Sequence, residues 1–252
     1  MTGQIDAGHG EVARPGDPPG PEPLLELVGA RAAYGPIEVL HGVDLKVGAG
    51  SVLALLGPNG GGKSTTMKVC AGLLPLTGGE LRLAGRTVNG LSAQDVARLG
   101  VCSVPEGRGI FANLSVRENL WVGTGTGARL ADMEEAAYTR FPILGKRRNQ
   151  LAGSMSGGEQ QMLALSRALG TDPVILLLDE LSMGLAPMIV TQMYETVAQL
   201  VAEGLSILVA EQFARAVLPI ADTAALMLHG RVVSVGRPDE IEEQLSSSYL
   251  GG

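Results

Sequence analysis

The sequence predicts an α/β fold with a mostly parallel core sheet, an N-terminal antiparallel β subdomain and a small helical subdomain. Three features point to it. The apolar run Val52-Leu53-Ala54-Leu55-Leu56 reads as a buried strand that passes through a glycine-rich turn into Thr66-Met67-Lys68-Val69-Cys70-Ala71, a helix start. Apolar runs recur at residues 101–104, 174–178 and 206–210 with helices expected between them, as in a parallel sheet covered on both faces. Short alternating runs, Leu24-Leu25-Glu26-Leu27-Val28 and Val39-Leu40-His41-Gly42-Val43-Asp44-Leu45, predict antiparallel strands near the start.

Taken in order, residues 1–22 carry Gly, Pro and charge with almost no apolar side chains, which predicts a disordered N-terminal extension. Residues 23–252 are then one domain. Residues 80–90 resemble a hairpin, and Ala224–Val235 reads as a second one turning at Gly230. Residues 112–150 lack strand signals and are rich in helix formers and charge, so a helical subdomain is expected as an insertion at about 108–165. No internal repeat is found.

The chain has 252 residues, 45% of them apolar and 3% aromatic, so its core is built from Leu, Val, Ala and Ile. A formal charge of −7 argues against a general nucleic-acid binder. Cys70 and Cys102 lie in apolar surroundings and form no C-x-x-C pair, which reads as two buried small hydrophobes in a reducing compartment. The N-terminus carries no secretory pattern, and no apolar run reaches the length of about 18 residues that a bilayer span needs.

The densest signal is Gly57-Pro58-Asn59-Gly60-Gly61-Gly62-Lys63-Ser64-Thr65, which matches G-x-x-x-x-G-K-[ST] at every fixed position. Between a strand and a helix N-terminus, such a loop aims backbone N–H groups and the positive end of the helix dipole at one point. Glycines allow the close approach. Lys63 can reach the β- and γ-phosphates of a nucleotide, and the Ser64 hydroxyl can bind Mg²⁺. Downstream, the apolar run 174–178 ends in Asp179-Glu180, at the strand end where open α/β sheets bind ligands. Asp179 can hold Mg²⁺ through water or beside Ser64, and Glu180 can polarise the water that attacks the γ-phosphate. Ser156-Gly157-Gly158-Glu159 precedes a helix running to about Leu169. Ser156 suits an N-cap, and the two glycines leave a second set of N–H groups uncovered. Both glycine-rich loops cannot serve the same phosphate face from one chain, which suggests two chains sandwiching the nucleotide.

With these motifs in this order, the chain resembles the ATP-binding subunits of ABC transporters from Leu24 to its C-terminus. The resemblance implies a P-loop NTPase fold of the ABC ATPase type, with ATP and Mg²⁺ as ligands. Met155-Ser156-Gly157-Gly158-Glu159 stands where that family has Leu-Ser-Gly-Gly-Gln, and Asp179 and Glu180 match its magnesium and catalytic acids. Tyr34 matches its adenine-stacking aromatic residue.

Three positions depart from the common pattern. Glu106, in Val104-Pro105-Glu106-Gly107-Arg108, replaces a Mg²⁺-sensing Gln, and a carboxylate can still bind the ion. Gln212 follows Glu211 where a switch histidine is usual; its amide can donate a hydrogen bond but carries no charge. Leu181-Ser182-Met183-Gly184-Leu185-Ala186-Pro187 lacks the usual Pro and Asp. Together with the ending Tyr249-Leu250-Gly251, these departures resemble the LivF-type ATPases of branched-chain amino-acid importers. That resemblance implies a second ABC ATPase subunit in a hetero- or homodimer, two transmembrane permeases, an extracytoplasmic binding protein, and a peripheral position at the cytoplasmic face of the cell membrane. Urea and amide importers use similar ATPases, and a soluble ABC ATPase of DNA repair or translation is a further alternative. A single cassette with a short helical insertion counts against the soluble class, and the retained Glu180 counts against a regulator that does not turn over.

Overall fold

The computed structural model of the chain describes residues 22–250 except 108, 125 and 126. The predicted N-terminal extension lies outside the described residues apart from Glu22, as does Arg108. The chain opens with β1 (Leu25–Tyr34), β2 (Ile37–Val47), β3 (Val52–Leu56), α1 (Lys63–Cys70), β4 (Gly78–Leu83), β5 (Arg86–Thr87) and α2 (Ala93–Arg98). It continues through β6 (Val101–Val104), the helices α3 (Val116–Gly123), α4 (Leu130–Arg140), α5 (Pro142–Lys146) and α6 (Gly157–Leu169), then β7 (Ile175–Asp179) and α7 (Pro187–Ala202). β8 (Ser206–Glu211), α8 (Ala214–Val217), β9 (Thr223–Leu228), β10 (Arg231–Gly236) and α9 (Pro238–Leu250) complete it.

Two sheets result. One is antiparallel, in the order β2-β1-β4-β5; the other runs β10-β9-β3-β8-β7-β6, with only the edge strand β10 antiparallel to its neighbour. The two-residue side-chain period of a strand explains the layering. On β3, Val52, Ala54 and Leu56 face α6 and α7, while Leu53 and Leu55 face the antiparallel sheet and α1. β7 and β8 divide the same way, with Leu176, Leu178, Ile207 and Val209 on one face and Ile175, Leu177, Leu208 and Ala210 on the other. Apolar residues at every position are therefore required, and each fully buried Leu contributes roughly 1.5–3 kcal/mol.

The parallel register brings one edge of this sheet together. Leu56 pairs with Glu211 and Asp179 with Ala210, so β3, β8 and β7 end side by side. The loop between β3 and α1 and the acids after β7 therefore share that edge. The β9–β10 hairpin turns at His229-Gly230 and props the loop from beneath. Gly230 N–H donates to the Gly61 carbonyl at 2.8 Å, and the Gly230 carbonyl accepts from His41 N–H at 3.0 Å.

Three expectations shift in detail. α1 starts at Lys63 instead of Thr66, because left-handed Gly62 (φ +109°) turns the chain straight into the helix and its carbonyl accepts from Thr66 N–H at 2.9 Å. β1 continues past Val28 to Tyr34 through register shifts around Gly29, which break the alternation read from sequence. Cys70 is buried, and burial pushes its thiol up to about 12. Cys102 is only partly buried, because β6 is an edge strand with one neighbour.

Gly230 sits at φ +72°, and a Cβ there would lie 1.8 Å from the Val39 carbonyl oxygen. Gly230→Ala is expected to destabilise the protein by at least about 2 kcal/mol through clash and left-handed strain. Thermal denaturation checks this; a midpoint equal to wild type would refute the propping role.

Candidate nucleotide-binding site

The loop between β3 and α1 closes on itself through the Gly61 N–H, which donates to the Pro58 carbonyl at 3.1 Å. Gly57 lies so close to β9 that a Cβ would sit 2.2 Å from the Met227 carbonyl oxygen, so only glycine fits. Lys63 is the first residue of α1 and only 3% exposed. Its Nζ donates to the carbonyls of Gly57 at 2.9 Å and Pro58 at 3.2 Å, and lies 3.4 Å from Glu180 Oε1. An ammonium group so far from water needs such partners, since its desolvation costs several kcal/mol.

Next to it, Ser64 Oγ donates to Asp179 Oδ1 at 3.2 Å. Burial pushes the Asp179 carboxyl up to about 6; the negative charges of Glu180 and Glu106 add to the rise, and the Ser64 hydrogen bond and Lys63 oppose it. Glu180 adopts a left-handed backbone (φ +51°) and donates its N–H to the Ala210 carbonyl at 2.9 Å. Lys63, Ser64, Glu106 and Glu180 line one cavity of about 220 Å³, with Asn59, Gly60, Gly62 and Thr65 completing the loop side. A larger cleft, about 410 Å³, lies between α4 and the ends of α6 and α7, and no phosphate-binding loop borders it.

The remaining candidate residues lie outside this cavity lining. Tyr34, 43% exposed, ends β1 beside α1, where Lys68 Nζ stands 5.6 Å from its ring centroid and 3.4 Å from its hydroxyl. Gln212 is exposed directly after β8, one residue past the Leu56–Glu211 pairing that ends the ladder with β3. Ser156 caps α6 in a reciprocal box: its Oγ accepts from Glu159 N–H, and its own N–H donates to Glu159 Oε2 at 3.0 Å. Arg147 pairs with the same Glu159 carboxylate at 3.1 Å. Gly158 also has a packing reason, since a Cβ there would meet Ile189 of α7 at 2.5 Å.

One buried acid was not anticipated. Glu211 accepts hydrogen bonds from Ser182 and Tyr194, and the only sequence signal for it is a carboxylate closing an otherwise apolar strand. As for a metal, no group of three or more His, Cys, Asp or Glu side chains among the described residues could cage an ion. The Ser64 hydroxyl with Asp179, and Glu106 nearby, is instead a sparse oxygen set. It suits Mg²⁺, which keeps several waters and takes one or two carboxylates together with phosphate oxygens. Among the described residues no helix is long and apolar enough to cross a membrane.

Known proteins resemble this chain over most of its length. The ABC transporter family profile matches residues 40–182. The chain is 40% identical over 224 residues to the high-affinity branched-chain amino acid transport ATP-binding protein BraG of Pseudomonas aeruginosa, covering 87% of this chain and 96% of that protein. It is 34% identical over 223 residues to the probable branched-chain amino acid transport ATP-binding protein LivF of Archaeoglobus fulgidus, covering 87% and 94%. Among solved structures, a nucleotide-free ATP-binding cassette from an ABC transporter superposes with a TM-score of 0.78 at 25% identity, covering 89% of this chain and 95% of that one. Another cassette, in its ADP conformation, gives 0.77 at 26% identity with the same coverage. This chain belongs to the ABC transporter family, as one of its ATP-binding and ATP-hydrolysing subunits.

Proposed function

We propose that the chain hydrolyses MgATP in the Lys63 cavity to power an importer of branched-chain amino acids. The observation that carries the site is the convergence of Lys63, Ser64, Asp179 and Glu180 at one sheet edge. The cargo reading is supported by the two transport ATPases of that class over most of the chain. Lys63 and the N–H groups of Gly60 and of Gly62 to Thr65 hold the β- and γ-phosphates, with Lys63 exchanging its loop carbonyls for phosphate oxygens. Mg²⁺, when bound, neutralises charge on those oxygens, and Ser64, Asp179 and Glu106 would hold it. Glu180 takes the proton of the attacking water, and Gln212 orients that water or the γ-phosphate. Tyr34 stacks on the base. Ser156, Gly157, Gly158 and Glu159 serve the nucleotide held by a second ATPase subunit, because they lie outside the cavity that Lys63 lines. Two permeases at the cytoplasmic membrane face, fed by an extracytoplasmic binding protein, complete the assembly; nucleic acid has no part in it.

Glu180→Gln keeps shape but removes the base, so ATP turnover is expected to fall about a hundredfold or more with ATP affinity retained. Steady-state hydrolysis and calorimetry check this, and near-normal turnover would end the assignment. Gln212→Ala is expected to lower turnover less than Glu180→Gln does, because a neutral amide contributes less than a base, while Gln212→His retains activity. An unchanged rate for Gln212→Ala would leave Gln212 as a surface residue.

Asp179 gives a pH signature. Its carboxyl is raised from 3.8 to about 6 on folding, so its ionisation destabilises the nucleotide-free protein above about pH 6. That penalty is lost as pH falls through 6 towards 4. Asp179→Asn is therefore expected to stabilise the free protein by about 3 kcal/mol at pH 7.5, with a gain that shrinks by about pH 4, and to weaken Mg²⁺-dependent nucleotide binding. Denaturant titrations at the two pH values test the sign; a gain that grew on acidification would contradict it.

A further inference from the structure

Glu211 is the buried acid that the catalytic scheme leaves unused. It closes β8, is 1% exposed, and takes part in no ion pair among the described residues. Three donors satisfy it instead. Ser182 N–H reaches Oε1 at 2.9 Å, Ser182 Oγ reaches Oε2 at 2.8 Å, and the Tyr194 hydroxyl reaches Oε1 at 2.5 Å. Tyr194 is itself buried on α7, and burial beside this carboxylate keeps its phenol protonated and donating. A carboxylate placed so deep is destabilising unless every contact is made, so the arrangement holds its donors firmly.

The segment it holds is the one that carries Glu180. Ser182 lies two residues beyond Glu180, and the Glu180 N–H is bound to the carbonyl of Ala210, the residue before Glu211. The end of β8 thus grips the chain on both sides of Glu180. Between the two grips Glu180 is left-handed, a conformation that costs a non-glycine residue roughly 1–2 kcal/mol and persists where its surroundings impose it. Relaxation of that turn would swing the carboxylate away from the position 3.4 Å from Lys63 Nζ.

We propose that Glu211 is a positioning residue for ATP hydrolysis: with Tyr194 it anchors Ser182, and through Ser182 it fixes the backbone turn that aims the Glu180 carboxylate. The proposal rests on Glu180 being the general base. It also joins the strand end that carries Gln212 to the segment 181–186, so the two regions move as one unit.

The test is steady-state MgATP hydrolysis by the full chain assembled with its partner subunits, with nucleotide affinity measured in parallel. Glu211→Gln preserves volume but removes the charge and turns an amide N–H group towards Ser182 Oγ, which must reverse from donor to acceptor. Turnover is expected to fall about ten- to a hundredfold, as for a small misplacement of a reacting group, with ATP affinity unchanged. Tyr194→Phe and Ser182→Ala each remove one donor, should fall part of the way, and supply the same reading if Glu211→Gln folds poorly. In a Glu180→Gln background the same substitutions should bring no further loss. Wild-type turnover in folded Glu211→Gln, or in both Tyr194→Phe and Ser182→Ala, overturns the proposal. So does an equal loss in both backgrounds, which would mark Glu211 as a stability residue only. Full turnover of Glu180→Gln alone would instead remove the base assignment, a distinct failure read from a different variant.

Discussion

The Lys63 ammonium, withdrawn from water and bound to two loop carbonyls and Glu180, sets the terms for the rest of the molecule. Lys63 starts α1, so its position is inherited from the turn at Gly62, and that turn is fixed by the approach of Gly57 to β9. Glu180 can meet it only because β7 and β3 end at the same sheet edge with β8 between them, a consequence of parallel register. Core packing therefore decides where a single charge is held. Burial is the main reason that the Asp179 carboxyl is raised, and the negative charges of Glu180 and Glu106, which outnumber that one cation, add to it. A divalent cation held by these oxygens would relieve that crowding of negative charge.

Much of this was legible in the sequence because the physical demands are local. An apolar strand, glycines at positions of close approach and a lysine at a helix start leave a pattern that spacing alone identifies. β3, β6, β7 and β8 match the apolar runs to within a residue or two, and the hairpin turning at Gly230 needed only alternation and a glycine. Ser156 as a helix cap was readable from its own side chain and the glycines behind it.

What escaped the sequence depends on contacts between distant segments. Glu211, Ser182 and Tyr194 share no spacing rule, and only the pairing of β7 with β8 and the return of α7 bring them together. The second role of Gly158, admitting Ile189, required knowing which helix lies against α6. The half-burial of Cys102 followed from strand order, which hydrophobicity does not encode. Glu159 falls between these cases. Its place three residues after Ser156 announces a capping box, whereas its pairing with Arg147 is a matter of tertiary geometry.

The hydrogen bond from the β9–β10 hairpin to Gly61 bears on nucleotide capture. A glycine-rich loop left free would have to be ordered by each incoming ligand, an entropic toll of roughly 1–2 kcal/mol per residue. Here the hairpin and β2 settle that ordering once, during folding. Binding to a loop ordered in advance forgoes that cost, which leaves more of the contact energy to hold the ligand.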